Sequence, residues 1–429
     1  MRLRIGRDAL AEAVAWAARA LPTRPVIPIL AGLMLEAGEG GGLTLSCFDY
    51  DVSARVGADA SVAEPGRALV AGRLLAEIAR SLPQRPVDLV SEGDVVVLSC
   101  GSARFTLLCL PVDDFPALPA LPPPAGSIDG GSFATAVGQV AVAASRDDTL
   151  PMLTGVHMEI DGARMTLVAT DRYRMAVREL EWQPADPGIQ ATALVPARTL
   201  ADAAKTMVTG TQMAISLAVE GREGPAGAGA AGTGAAGTGA AGGAGLIGFD
   251  GGGRQLTTRL LGSEFVTYKS RFPRDFKCRA WLTSGPFAEA VRRVALVADR
   301  ESRLLLTFAA GGVVIETGSG EGSQAVETVA AEFEGEEGFS IAFKPQYLLD
   351  GIGAASAGAQ ARAGAQARAE TDAGAAAGAA DAEAGAAEPQ EPGRADDDGV
   401  VTLEFTSPEK PAVITGGPGF KYLLAPMRT

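Results

Sequence analysis

The chain has a single histidine, His157, among 429 residues. That excludes any multi-histidine metal site and leaves one candidate base for a Ser/His or Cys/His mechanism. His157 lies in "GVHMEI", a strand-like alternation, and reads as a plain strand residue. Cysteine is scarce too: Cys47, Cys100, Cys109 and Cys278, with no CxxC pair. Cys47, Cys100 and Cys109 sit in apolar strand-like runs, so reduced, buried thiols are expected rather than disulfides or zinc ligands. No apolar run reaches the roughly 18 residues of a membrane span. The first residues, "MRLRIGRDALAEAVAWAARAL", begin basic, but Asp8, Glu12 and Arg19 interrupt the apolar stretch, which argues against a signal peptide. A soluble cytoplasmic protein is expected. There is no glycine-rich phosphate loop of the P-loop type, no nucleophile motif and no metal cluster. An enzyme built on Asp171, Tyr173 and His157 is therefore disfavoured, and no catalytic residue, cofactor or metal is assigned.

What is present is length, acid and repetition. A chain of this length predicts two or three domains. The net charge is −14. Residues 351–398 hold nine acids and three arginines, so the remainder is acidic as well, at about −8. Any nucleic-acid contact must rest on local basic faces. Residues 221–245 are almost pure Gly, Ala and Thr, and 351–398 are Ala/Gly-rich and then acidic. Neither offers large side chains to bury, so both are expected to be disordered insertions. The Pro-rich stretch "PALPALPPPAGS" (116–127) suits a linker between domains.

The repeat is threefold. "LAEAV" (10–14), "FATAV" (133–137) and "FAEAV" (287–291) are one pattern, each opening a run of helical period. A second helix signal follows each: "VAGRLLAEIARSL" (70–82), "VPARTLADAAKTM" (195–207) and "FKPQYLLDGI" (343–352). Leu75, Leu200 and Leu348 align, as do Glu77, Asp202 and Asp350. "PILAGLMLE" (28–36) matches "PMLTGVHME" (151–159). "LSCFDYDVSARV" (45–56) matches the stretch around "ATDRYRMAV" (169–177), with Asp49 opposite Asp171. An aspartate recurring at one point of a repeated strand end points to turn geometry rather than catalysis. Helices alternating with short-linked strands predict an α+β fold of antiparallel sheets. The domains are placed at 1–120, 126–276 and 277–429.

"RPVIPIL" (24–30), "RFTLLCLPVDDFP" (104–116), "ATDRYRMAV" (169–177) and the ending "YLLAPMRT" (422–429) resemble the bacterial DNA sliding clamp family, the beta subunit of DNA polymerase III. The resemblance implies three tandem clamp domains, each with two helices packed on antiparallel sheets. It further implies a head-to-tail homodimer closed into a ring around double-stranded DNA. DNA polymerase and other proteins with a clamp-binding motif would dock outside by short peptides, and an ATP-driven clamp loader would open the ring. Arg24 and Arg73 match the family's DNA-contacting positions, and Arg80, Arg146, Arg198, Lys205, Arg292 and Arg293, on or beside the repeated helices, are further candidates for contact with DNA. The docking groove maps to Leu153, Thr170, Arg172, Tyr173, Arg174, Met175, Pro273, Leu424, Ala425, Pro426, Met427 and Arg428. The dimer interface maps to Arg104, Phe105 and Leu107 against Leu296 and Val297. The family has a small residue, often Gly, where Arg172 stands, so the turn is expected to differ here. Ala425 and Thr429 also depart from the pattern. These departures motivate an alternative, a divergent paralogue serving repair or another non-replicative partner.

Overall fold

A computed structural model describes residues 1–207, 212–218, 245–299, 302–318, 323–357 and 399–427. Among them are six helices, two per repeat. They are α1 (Arg7–Ala17), α2 (Gly72–Ser81), α3 (Gly130–Ala141), α4 (Ala197–Thr206), α5 (Ser284–Val294) and α6 over 345–357. The first helix of each repeat buries the same offsets. Leu10, Ala13, Val14 and Ala17 in α1 correspond to Phe133, Ala136, Val137 and Val140 in α3 and to Phe287, Ala290, Val291 and Val294 in α5, all buried. Burying each large member contributes about 1.5–3 kcal/mol. The aligned Leu75, Leu200 and Leu348 of the second helices are likewise buried. Pro286 falls in the first turn of α5, where a missing N–H costs nothing.

The chain packs as two compact units, Met1–Gly130 with Trp182–Gly262, and Gly131–Glu181 with Ser263–Thr429. The first holds a fourteen-stranded sheet. Within it Val52–Ala58 pairs antiparallel with Arg254–Arg259, placing Leu256 opposite Ala54. The second unit repeats this joint. Arg174–Glu181 pairs antiparallel with Phe420–Leu424, placing Met175 opposite Leu423. A separate four-stranded sheet orders Ala325–Ala330, Gly312–Thr317, Leu304–Ala309 and Ser340–Phe343. In both joints the strand that follows the repeated aspartate receives the last strand of the next repeat. That pairing draws part of the second repeat into each unit.

Two sequence boundaries move. The strand Pro124–Asp129 pairs with Gln212–Ala218, so the Pro-rich linker stops before 124. The second low-complexity stretch, expected from 351, begins with seven further residues of α6. They belong to the helix because small residues permit a close approach: a Cβ on Gly351 would stand 2.7 Å from the Tyr422 ring. Ile352, Ala354 and Ala355 are buried beside it in sequence. Residues 219–244 and 358–398 lie outside the described residues. The four cysteines are free, and burial pushes the Cys47 thiol up to about 12. No described helix is long and apolar enough to cross a membrane.

Candidate docking groove, basic surface and strand edge

The turn at Asp171 is built by its own side chain. Oδ1 of Asp171 accepts the amides of Tyr173 and Arg174, each at 3.0 Å. Asp49 does the same for Asp51 and Val52 at 3.0 and 2.7 Å. In both turns the next residue has positive φ, 82° at Arg172 and 76° at Tyr50. The expectation that Arg172 would change the turn is therefore overturned. The aspartate bonds hold the backbone, and arginine takes the left-handed conformation that glycine adopts at no steric cost. Thr170, buried, closes the base: its hydroxyl donates to the Arg174 carbonyl at 2.7 Å and accepts the Arg172 amide at 3.2 Å.

Strand pleating splits the turn's neighbours between two faces. On one face Met175 and Val177 meet Val168, Val413, Leu423 and Tyr268. The segment holding Pro273 packs on this cluster through Phe265, Phe272 and Phe276. On the other face Arg174 reaches α6. Its Nε donates to Asp171 at 2.9 Å, its Nη1 to Asp350, and its guanidinium carbon lies 4.3 Å from the Tyr347 ring centre. The Tyr422 hydroxyl, held above its ordinary pKa by burial, donates to the Tyr347 carbonyl at 2.9 Å. Tyr173 and Tyr347 stack with centroids 6.3 Å apart. The last described residues cross this site. The Ala425 amide donates to the Tyr173 carbonyl and the Met427 amide to the Ala342 carbonyl, both at 2.8 Å. Ala425, Pro426 and Met427 are half-buried.

Leu424 is a correction. It pairs with Arg174, its side chain is 0% exposed, and it belongs to the core. Leu423, one residue earlier, takes the face shared with Met175. Leu153 is also buried, and its carbonyl accepts the Ser145 amide at 2.7 Å, tying down the loop before it. Arg428 and Thr429 lie outside the described residues. Sequence reasoning missed Lys344, Tyr347, Asp350 and Leu423 as neighbours of the turn. Asp350 recurs between repeats, but its meeting with Arg174 spans the fold.

Arg24, Arg73, Arg80, Arg146, Arg198, Lys205 and Arg292 are all exposed. Arg73 also braces the segment before Arg24, donating to the carbonyls of Leu21 and Pro22 at 3.2 Å. Arg293 differs from these seven. It makes a bidentate pair with Glu327 at 2.6 and 3.1 Å and lies 3.6 Å from Glu289, so carboxylates already meet its charge.

The strand Ala103–Leu110 pairs along one side with Val95–Cys100, and on the other through Cys109 and Leu110. Its outward face carries Arg104, Thr106 and Leu108, the last 77% exposed. Leu107, expected at an interface, is 4% exposed and points into the core, because alternate residues face opposite ways. Phe105 is half-buried. Beyond α5, Leu296 is 83% exposed and Val297 is accessible. They follow a helix that packs on the sheet-edge strand Ala325–Ala330, where Val326 is exposed.

His157 lies on the strand Gly155–Asp161. Its ring stacks on Phe265 at 4.9 Å, and burial lowers its pKa below 6.5. Asp171 spends its carboxylate on the turn and Arg174. Among the described residues no group of three or more His, Cys, Asp or Glu is placed to hold a metal.

Known proteins share both the sequence and the fold. Family models described as the N-terminal, central and C-terminal domains of the DNA polymerase III beta subunit match residues 1–119, 127–266 and 269–362. The beta sliding clamp of Streptomyces coelicolor is 45% identical across 100% of this chain and 99% of its own length. That of Micrococcus luteus is 43% identical across 78% of this chain and 100% of its own. The crystal structure of the Bacillus subtilis sliding clamp shares the fold at a TM-score of 0.78 and 22% identity, covering 100% of this chain and 99% of that one. With the threefold repeat, the doubled joint and these matches in hand, the chain belongs to the DNA polymerase III beta subunit family, the bacterial sliding clamps, which are processivity factors rather than enzymes.

Proposed function

We propose that this clamp encircles duplex DNA and tethers DNA polymerase for processive replication, docking partners in the groove beside the Asp171 turn. The observation that carries the reading is an outward set of cations on the helices of an acidic chain. Arg73 and Arg80 on α2, Arg198 and Lys205 on α4, and Arg292 on α5 are exposed, joined by Arg24 and Arg146 from loops. Contacts from such side chains to phosphates bind without reading sequence and permit sliding. The three domains follow the repeat at 1–120, 126–276 and 277–429.

Two chains close head to tail. Arg104, Phe105 and Leu108 on the open edge of one meet Leu296, Val297 and the edge strand Ala325–Ala330 of the other. The groove is formed by Thr170 to Met175, Tyr347, Leu423, Pro273 and Ala425 to Met427. It suits a short peptide with aliphatic and aromatic anchors. DNA polymerase and other proteins bearing such a motif dock there, and an ATP-driven loader opens the ring in the cytoplasm.

The test loads the full chain onto nicked circular DNA and then linearises it. Retention on the circle and release from the linear form are expected, with a dimer mass in solution. A monomer that never associates with DNA, or equal retention on both forms, overturns the reading.

A further inference from the structure

We infer that Arg172 is a specificity residue of the docking groove: with Lys344 it selects a peptide that carries a carboxylate beside its apolar anchors. The inference rests on the groove reading above. Arg172 sits at a φ of 82°, where a β-carbon is disfavoured and glycine is at ease. The turn does not need the arginine side chain for its own bonds, which come from Asp171 and Thr170. The side chain is exposed beside the candidate site and is left over for another use.

The surroundings indicate that use. The next residue, Tyr173, is 58% exposed and stacks with Tyr347. The exposed Lys344 places its ammonium 4.9 Å from the centre of the same Tyr347 ring. Lys344 thus sits against this tyrosine pair, and Arg172 directly precedes Tyr173 in the turn. The turn's other arginine, Arg174, is already engaged by Asp171 and Asp350. Asp147 is a carboxylate within electrostatic reach of Arg172. Its pKa is lowered first by the Thr149 amide and side chain, and then by Arg172. Its Oδ1 is occupied by the Thr149 amide at 3.0 Å, within its own loop. A carboxylate on a docked peptide would find a charge-assisted partner in Arg172 and an amphipathic wall in the tyrosines.

The test measures binding of two short peptides to the full-length chain by calorimetry. Both carry leucine and phenylalanine anchors; one has aspartate beside them, the other asparagine. At low salt the wild type is expected to bind the aspartate peptide about threefold to fivefold tighter. The preference disappears in Arg172→Gln, which keeps the strain, and in Arg172→Gly, which relieves it. The preference also shrinks as salt rises. Equal binding of both peptides by the wild type, or a preference that survives Arg172→Gln, overturns the inference and leaves the groove standing. Failure of both peptides to bind the wild type removes the groove as well.

Discussion

Asp171 is the residue on which the candidate groove turns, because one carboxylate holds two backbone amides and a partly buried arginine. Asp171→Ala should cost about 2–4 kcal/mol, since it strips both amides and leaves Arg174 with half its counter-charge. Urea unfolding measures the loss. Asp171→Asn, which keeps an acceptor oxygen, should cost less. His157 gives a pH signature of its own. Burial lowers its folded pKa below 6.5, so the unfolded chain binds the proton more readily. Its contribution to stability is complete above 6.5 and is lost as pH falls from there through the lowered folded value. His157→Phe should flatten the stability profile across that window. As the sole histidine, its ring resonance also reports the folded pKa directly by NMR. The residue scale was partly legible in advance: the recurring aspartate predicts a turn, but a chain read linearly does not say that arginine will accept positive φ.

At the scale of elements, parity decides which side chains meet a partner. One step along a strand exchanges faces, and this alone separates Leu107 from Leu108 and Leu424 from Leu423. Leu107 and Leu108 should therefore fail differently. Leu107→Ala should destabilise the fold by about 2–4 kcal/mol through a core cavity. Leu108→Asp or Leu296→Asp should leave the unfolding midpoint of the separated chain near that of the wild type while shifting sedimentation from dimer to monomer. Likewise, Gly351→Val should destabilise by about 1–3 kcal/mol, because the added carbons meet the Tyr422 ring. Helix positions were legible because a period of 3.6 with large apolar residues is a strong signal. The start of α6 was legible too, but its continuation past 352 was hidden, since glycine and alanine look alike in a packed helix and a low-complexity tract.

For the whole molecule, the net charge of −14 means that DNA affinity must come from a few placed cations. Arg24→Gln and Arg198→Gln should each lower the slope of log affinity against log salt by about 0.9, if each meets one phosphate of the duplex. Arg293→Gln should leave that slope unchanged, because Glu327 and Glu289 already meet its charge. Fluorescence titration over a salt series distinguishes the three. The sequence by itself determined the repeats, the helices, the antiparallel class and the family resemblance, because local periodicity and recurring motifs are written in neighbouring residues. Tertiary structure alone decided which cations stay exposed and unspent, which leucine faces outward, and that Asp350 and Tyr347 close on Arg174 from far along the chain. Those outcomes depend on strand register and on side chains that meet across long loops, and no local pattern encodes either.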